Sequence, residues 1–197
     1  MSSSALIAAT SEHGSLPLAP IDQPSGWFLR GLYRVMRKRY GVVPTAFRVM
    51  YGRAPFLAFV SLVIGLGLLR CLRISNELRT LVQVSTALRM GCTFCADLQM
   101  AEAAMAQVGR ERFRELLAFE QSASFTPREK AALRYTEALA ESLHIPDEVW
   151  SGLTAHFSER ERLDIVWVCA VERYFNSMAL PLRIGSDHLV DRVTRSA

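Results

Sequence analysis

Four cysteines in 197 residues are too few, and too scattered, for a disulfide framework. Histidine is equally sparse: His13, His144, His156 and His188 show no H-x-x-x-H spacing, and there is no second CxxC. A zinc site would therefore have to be completed from afar. Apolar and polar residues nowhere alternate convincingly with period two, which speaks against a sheet. The one long apolar run, Phe56 to Leu69, is shorter than the roughly 20 residues a membrane span needs. It reads as a buried helix, with Ser61, Gly65 and Gly67 allowing close packing. The net charge of +4 is too mild to argue for nucleic acid as a partner. The first 26 residues lack the basic start and long apolar core of an export signal. Their Ser, Pro and Gly content predicts a loosely held tail, and the chain is expected to be cytoplasmic.

What is present is helical periodicity throughout. It predicts an all-α, single-domain multi-helix bundle over residues 27–190, with tails at 1–26 and 191–197. Helices are expected at 27–39, 43–51, 55–71, 76–90, 93–107, 109–119, 127–142, 146–155 and 159–176. Thr126/Glu129 and Ser158/Glu161 have the spacing of capping boxes, and Pro127 falls at a first helical position, where its missing N–H costs nothing. The first helix carries Arg30, Arg34, Arg37 and Lys38 mostly off its apolar stripe. The plain reading is a solvated basic face; the alternative is contact with an anionic membrane surface.

The chemistry-bearing stretch is "MGCTFCADLQM". Gly91 ends one predicted helix and Cys92 opens the next, so Cys92 and Cys95 both lie in a first helical turn and face the same side. Three readings are open: a redox dithiol, half of a metal site, or two packed apolar residues. The unpaired amides of a helix start favour an anion. They would bring a thiol from about 8.5 toward about 7.5, the direction that makes it reactive. Cys71 and Cys169 lie in apolar runs and read as core fillers. Asp97 sits roughly 200° around the helix from Cys95 and should point away from it.

"ELRTLVQVSTALRMGCTFCADLQMAEA", followed by "FTPREKAALRYTEALAES" and "AHFSERERLDIVWVCAVERYFNSMA", resembles the carboxymuconolactone decarboxylase family, and within it the branch related to alkylhydroperoxidase D proteins. The resemblance runs from about Tyr40 to Leu182. It implies an all-helical, homo-oligomeric protein and a peroxiredoxin-type reduction of organic hydroperoxides through a redox-active Cys92–Cys95 disulfide. Electrons would come from a thiol or dihydrolipoyl partner, with no bound cofactor or metal. It also implies that Cys95 attacks and Cys92 resolves, whereas the helix-end argument by itself favours Cys92, nearest the helix start, as the more acidic thiol. Two positions depart from the family's pattern. Gln99 stands where the family has histidine and Thr80 where it has glutamate, so neither can move a proton. Glu77, one turn before Thr80, is the candidate substitute, acting through water.

Two other functions fit these residues less well. A lyase acting on a small carboxylated lactone would need basic side chains around a pocket, with Arg48, Arg53, Arg70, Arg73 and Arg89 as candidates, and would not require a dithiol. A non-catalytic scaffold would need neither. Apolar helices such as 55–71 are hard to cover in one small helical layer, which independently points to self-association.

Overall fold

The computed structural model describes residues 15–106 and 111–195, and the greater part of the expected N-terminal tail, residues 1–14, lies outside them. The chain builds nine α-helices across these residues and no strand: α1 (Trp27–Tyr40), α2 (Pro55–Arg70), α3 (Asn76–Arg89), α4 (Thr93–Met105), α5 (Glu111–Arg114), α6 (Pro127–Glu141), α7 (Asp147–His156), α8 (Glu159–Ala179) and α9 (Leu189–Arg195). A π-helical turn, Phe47–Tyr51, precedes α2, and a 3₁₀ turn, Leu116–Ala118, follows α5.

The bundle is organised around α3. From Leu78 to Ala87 its side chains are buried except for the half-buried Arg79, because α4, α6 and α8 all pack against it. A helix enclosed on every side must satisfy its polar residues internally or across its neighbours. Thr80 and Thr86 donate back to the carbonyls of Asn76 and Val82, both at 2.8 Å, and Ser85 meets Thr136 of α6 at 2.6 Å. Ser75 caps the start, accepting from the Leu78 amide at 3.1 Å. Both anticipated capping boxes form, at Thr126/Glu129 and Ser158/Glu161.

Two apolar clusters flank α3. One joins α1, the π-helical turn, α4, α9 and the loop residues Leu116 and Phe119; the other joins α6, α7 and the first half of α8. The register of α8 is pinned by Asp164, which is buried. It accepts from the Arg73 amide at 2.6 Å and from Arg160 Nε at 2.9 Å.

Three local expectations are corrected. Helix 109–119 breaks into α5 and a 3₁₀ turn, while residues 107–110 are outside the described set. Phe113, Leu116 and Phe119 are all buried, and their spacing of three fits the three-residue turn of a 3₁₀ helix better than an α-helix. Cys71 is exposed rather than a core filler, since it sits beyond the end of α2, where its carbonyl accepts from Arg160 at 2.7 Å. Helix α2 is only half covered: Ala58, Ser61 and Leu68 are buried, but Phe56 is 79% and Phe59 53% exposed. A single chain has no second layer to place over that face. No helix among the described residues is long and apolar enough to cross a membrane.

Helix α9 was not expected. Its first amides are held by Asp97 of α4, which accepts from Leu189 at 2.8 Å and Val190 at 3.0 Å, and from the Ser186 hydroxyl at 2.8 Å. Asp97 thus points away from the cysteine pair and fastens the C-terminal segment.

Candidate active site

The junction between α3 and α4 sets the positions of both cysteines. Gly91 adopts φ 74°, a left-handed conformation open to glycine and strained for other residues. The Gly91 amide then donates to Leu88 at 3.1 Å and the Cys92 amide to Ala87 at 2.9 Å, closing the Schellman pattern that ends α3. Cys92 is at once the last member of that motif and the N-cap of α4, whose first helical bond runs from Ala96 to the Cys92 carbonyl at 3.1 Å. The chain reverses within this turn, and Cys95 comes round one turn later beside Cys92. The two are free thiols within hydrogen-bonding reach of each other.

Because α3 and α4 run antiparallel from this turn, their inner faces make rungs. Cys95, Gln99 and Glu102 share a face of α4, and Arg79 and Gln83 share a face of α3. Between them α8 presents Glu172, Phe175 and Ala179. Together with α1, the π-helical turn and α2, these faces enclose a cavity of about 360 Å³. That is within the size range of small-molecule pockets. It reaches from Arg39 and Glu102, with side chains 45% and 26% exposed, to Cys95, which is 3% exposed. Cys92 is equally buried but does not line it.

The residue that sequence reasoning missed is Glu172. It is fully buried, and Gln83 and Gln99 each donate an Nε2–H to its Oε2 at 3.3 Å. Its Oε1 has no hydrogen-bond partner. Burial pushes the carboxyl up to about 7, against the opposing effects of the two amides and the Cys95 thiol. Cys95 in turn is raised well above the usual thiol range, first by its hydrogen bond with Cys92, then by burial and by the Glu172 charge. The helix-end lowering, expected most strongly at Cys92, does not govern Cys95. A helix-end interaction of at most ~2 kcal/mol is outweighed by desolvation and a neighbouring carboxylate. The carboxyl and the thiol share an enclosed space, where a charge on Glu172 disfavours the thiolate of Cys95.

The other expected site residues fall out as follows. Gln99 is in the site, holding Glu172 from the position where histidine was looked for. Thr80 is buried on α3 but spends its hydroxyl on the Asn76 carbonyl and does not line the cavity. Glu77 is turned outward into ion pairing with Arg112, which also holds Glu129 at 2.7 Å. It is a surface group, remote in role from the thiols. His144 and His156 do not line the cavity. Cys169 is buried, its thiol pushed up to about 12 by desolvation. Nor do Arg48, Arg53, Arg70, Arg73 or Arg89 reach the cavity. Arg48 pairs with Asp22 at 2.6 Å and Arg89 with Glu137 at 2.8 Å, while Arg53 donates to the Val49 and Ala19 carbonyls. The two arginines that do line it are Arg39 and Arg79. Among the described residues, no group of three or more His, Cys, Asp and Glu could hold a metal ion.

Comparison with known proteins bears on this arrangement. Residues 72–138, which include both cysteines, match the carboxymuconolactone decarboxylase family. The uncharacterized protein YdfG of Bacillus subtilis (strain 168) is 26% identical over 111 residues, covering 55% of this chain and 76% of YdfG. The apo debrominase Bmp8 superposes with a TM-score of 0.78 at 19% identity, over 92% of this chain and 97% of its own. An uncharacterized peroxidase-related protein with the alkylhydroperoxidase AhpD core, from Ralstonia eutropha JMP134, superposes with a TM-score of 0.75 at 17% identity, over 91% of this chain and 98% of its own. At such identities the structural likenesses speak for the fold alone. The stretch 72–138 is thus similar to the carboxymuconolactone decarboxylase family, and the fold of the chain is that of the AhpD core.

Proposed function

We propose that the protein is a dithiol oxidoreductase that reduces a small electrophilic substrate, with organic hydroperoxides as the leading class. Cys95 is the nucleophile, Glu172 its base and Cys92 the resolving thiol. The observation that carries this reading is the fully buried Glu172 beside Cys95 at the inner end of the cavity, with a pKa of about 7 and one unpartnered oxygen. A carboxyl poised near neutrality suits general-base work, and it supplies the proton acceptor that Gln99 and Thr80 lack.

In the reaction, Glu172 takes the Cys95 proton as the thiolate attacks the distal peroxide oxygen. The O–O bond breaks, the sulfur is oxidised to the sulfenic acid, and the alkoxide leaves as the alcohol with the proton that Glu172 held. Cys92 then attacks the Cys95 sulfur, water departs, and the Cys92–Cys95 disulfide closes. Two electrons from an external thiol or dihydrolipoyl group, delivered by disulfide exchange, return the pair to its reduced form. Gln83 and Gln99 hold the carboxyl in place through both half-reactions.

The lactone-lyase reading draws less support, because none of the five arginines expected for it lines the cavity and such chemistry makes no use of a dithiol. The scaffold reading has no use for a buried acid beside a dithiol. Self-association is part of this proposal. The uncovered α2 face, with Phe56 and Phe59, is apolar, and α2 also forms a wall of the cavity through Leu62, Gly65 and Leu66.

Single-turnover mixing of the reduced protein with cumene hydroperoxide tests the reading. Wild type should consume one equivalent and form the intramolecular disulfide. C92S should stop at a Cys95 sulfenic acid that dimedone traps, and C95S should do neither. Equal peroxide consumption by C95S, or turnover of a lactone by the C92S/C95S double variant, would overturn it.

A further inference from the structure

The cavity holds one charge that the dithiol chemistry does not use. Four charged side chains face it: Glu172 at the inner rung, and Arg39, Glu102 and Arg79 toward the opening. Glu102 and Arg39 are committed to each other. Arg39 Nε donates to Glu102 Oε1 at 2.8 Å, Arg39 Nη2 donates to Oε2, and the Tyr40 hydroxyl completes Oε1. The Arg79 side chain makes no hydrogen bond or ion pair among the described residues, while its backbone amide donates to the Ser75 carbonyl at 2.9 Å. Its Nε is buried without a partner, and the carboxylate whose charge acts on it, Glu102, is already occupied. A guanidinium stays protonated even when desolvated, so this is a half-buried cation with open donors in an apolar chamber. With Glu172 protonated, the cavity carries one net positive charge.

The rest of the lining defines what an anion there would be attached to. Met50, Leu62, Leu66, Phe94, Leu98 and Phe175 make the walls apolar. Arg79 stands one helical turn from Gln83 on α3, opposite the Glu102 rung of α4. Glu102 follows Cys95 by seven residues, so at 1.5 Å per residue the rung lies about 10 Å along α4 from the thiol.

We propose that Arg79 anchors the carboxylate of the substrate, and that the substrate is an amphipathic acid whose apolar chain spans the distance from Arg79 to Cys95. A carboxylate presents two oxygens to the planar fork of an arginine, which compensates the desolvation of both ions. The charge sits at the opening and the apolar chain lies against the inner walls, delivering the reducible group to Cys95. This rests on the dithiol reading for the chemistry at Cys95 but not for the binding, and the two are separable.

Calorimetric titration of the reduced full-length protein with decanoate and with decan-1-ol, which share a chain about as long as the cavity, tests the anchor without any turnover. The expected result is at least tenfold tighter binding of the acid to wild type. That ratio should fall to near one in R79M and be partly retained in R79K. Equal affinity of wild type for acid and alcohol would overturn the inference, as would an unchanged ratio in R79M. Should R79M fail to fold, the wild-type ratio and R79K still decide. Cumene hydroperoxide reduction by wild type reports on the dithiol reading alone. Acid preference without peroxide reduction leaves the Arg79 site standing and removes the chemistry, whereas reduction without acid preference removes only the anchor.

Discussion

Replacing Glu172 with glutamine should make the protein less active and more stable at once. The carboxyl is raised from 4.5 to about 7 by complete burial. Below pH 4.5 it is protonated in both folded and unfolded chains and titration adds nothing. Between 4.5 and 7 the folded chain keeps a proton that the unfolded chain releases, so stability falls as pH rises. Above 7 the full penalty applies, about 2.5 pKa units at 1.36 kcal/mol each, or about 3 kcal/mol. E172Q carries no such charge. It should match wild type near pH 4 and exceed it at pH 8 by about 3 kcal/mol, roughly 6–12 °C in Tm for a chain of this size. Activity should move the other way. Wild-type kcat/KM for a hydroperoxide should rise through pH 7 as the base deprotonates. In E172Q that limb should vanish, with a loss of about 10²–10³-fold at neutral pH. Thermal melts at pH 4, 6 and 8 alongside pH–rate profiles make the comparison. A variant that keeps half of the wild-type rate at pH 7, or whose Tm advantage is the same at pH 4 and pH 8, would refute the reasoning.

Other perturbations separate fold from chemistry. D97A leaves two α9 amides and the Ser186 hydroxyl without their buried acceptor, and should destabilise by about 2–4 kcal/mol in urea titrations while the reduced protein still forms the Cys92–Cys95 disulfide. G91A forces a Cβ into a left-handed backbone at the α3–α4 turn. It should cost about 1–2 kcal/mol and slow closure of the disulfide, read by single-turnover kinetics. Gly65 lines the cavity, and a Cβ there would meet nothing within 4 Å. G65A should therefore stabilise by up to about 1 kcal/mol through helix propensity. G65F should instead fill the cavity and raise KM for bulky hydroperoxides more than for hydrogen peroxide.

What could be seen in the sequence was what is set locally. The capping boxes, the glycine that turns α3 into α4 and the pairing of Cys92 with Cys95 each depend on residues a few positions apart. Asp97 was rightly turned away from the thiols by helical angle alone, but its partners lie about ninety residues on, so α9 had no local signature. Glu172 was hidden for the same reason, being 77 residues beyond Cys95. A signal was nonetheless present. Ile165, Val168, Cys169, Glu172 and Asn176 fall on one helical stripe, and an acid on an apolar stripe asks for a buried role. Glu77 looked suitable by spacing along α3, yet α3 is enclosed on its other sides, and the position of Glu77 in the first turn leaves it facing Arg112 and solvent. The raised pKa of Cys95 was not legible because a helix end is a local effect, whereas the hydrogen bond with Cys92, desolvation and the Glu172 charge come from the assembled fold.

The central claim is that one buried carboxyl holds a proton near neutral pH and exchanges it with Cys95. Infrared titration of the reduced protein, following the band of the protonated carboxyl with E172Q as the reference, measures this directly. The account predicts a wild-type band that disappears with a midpoint near pH 7 and is absent from E172Q at every pH. A band already lost by pH 5, or one that persists unchanged in E172Q, would contradict it.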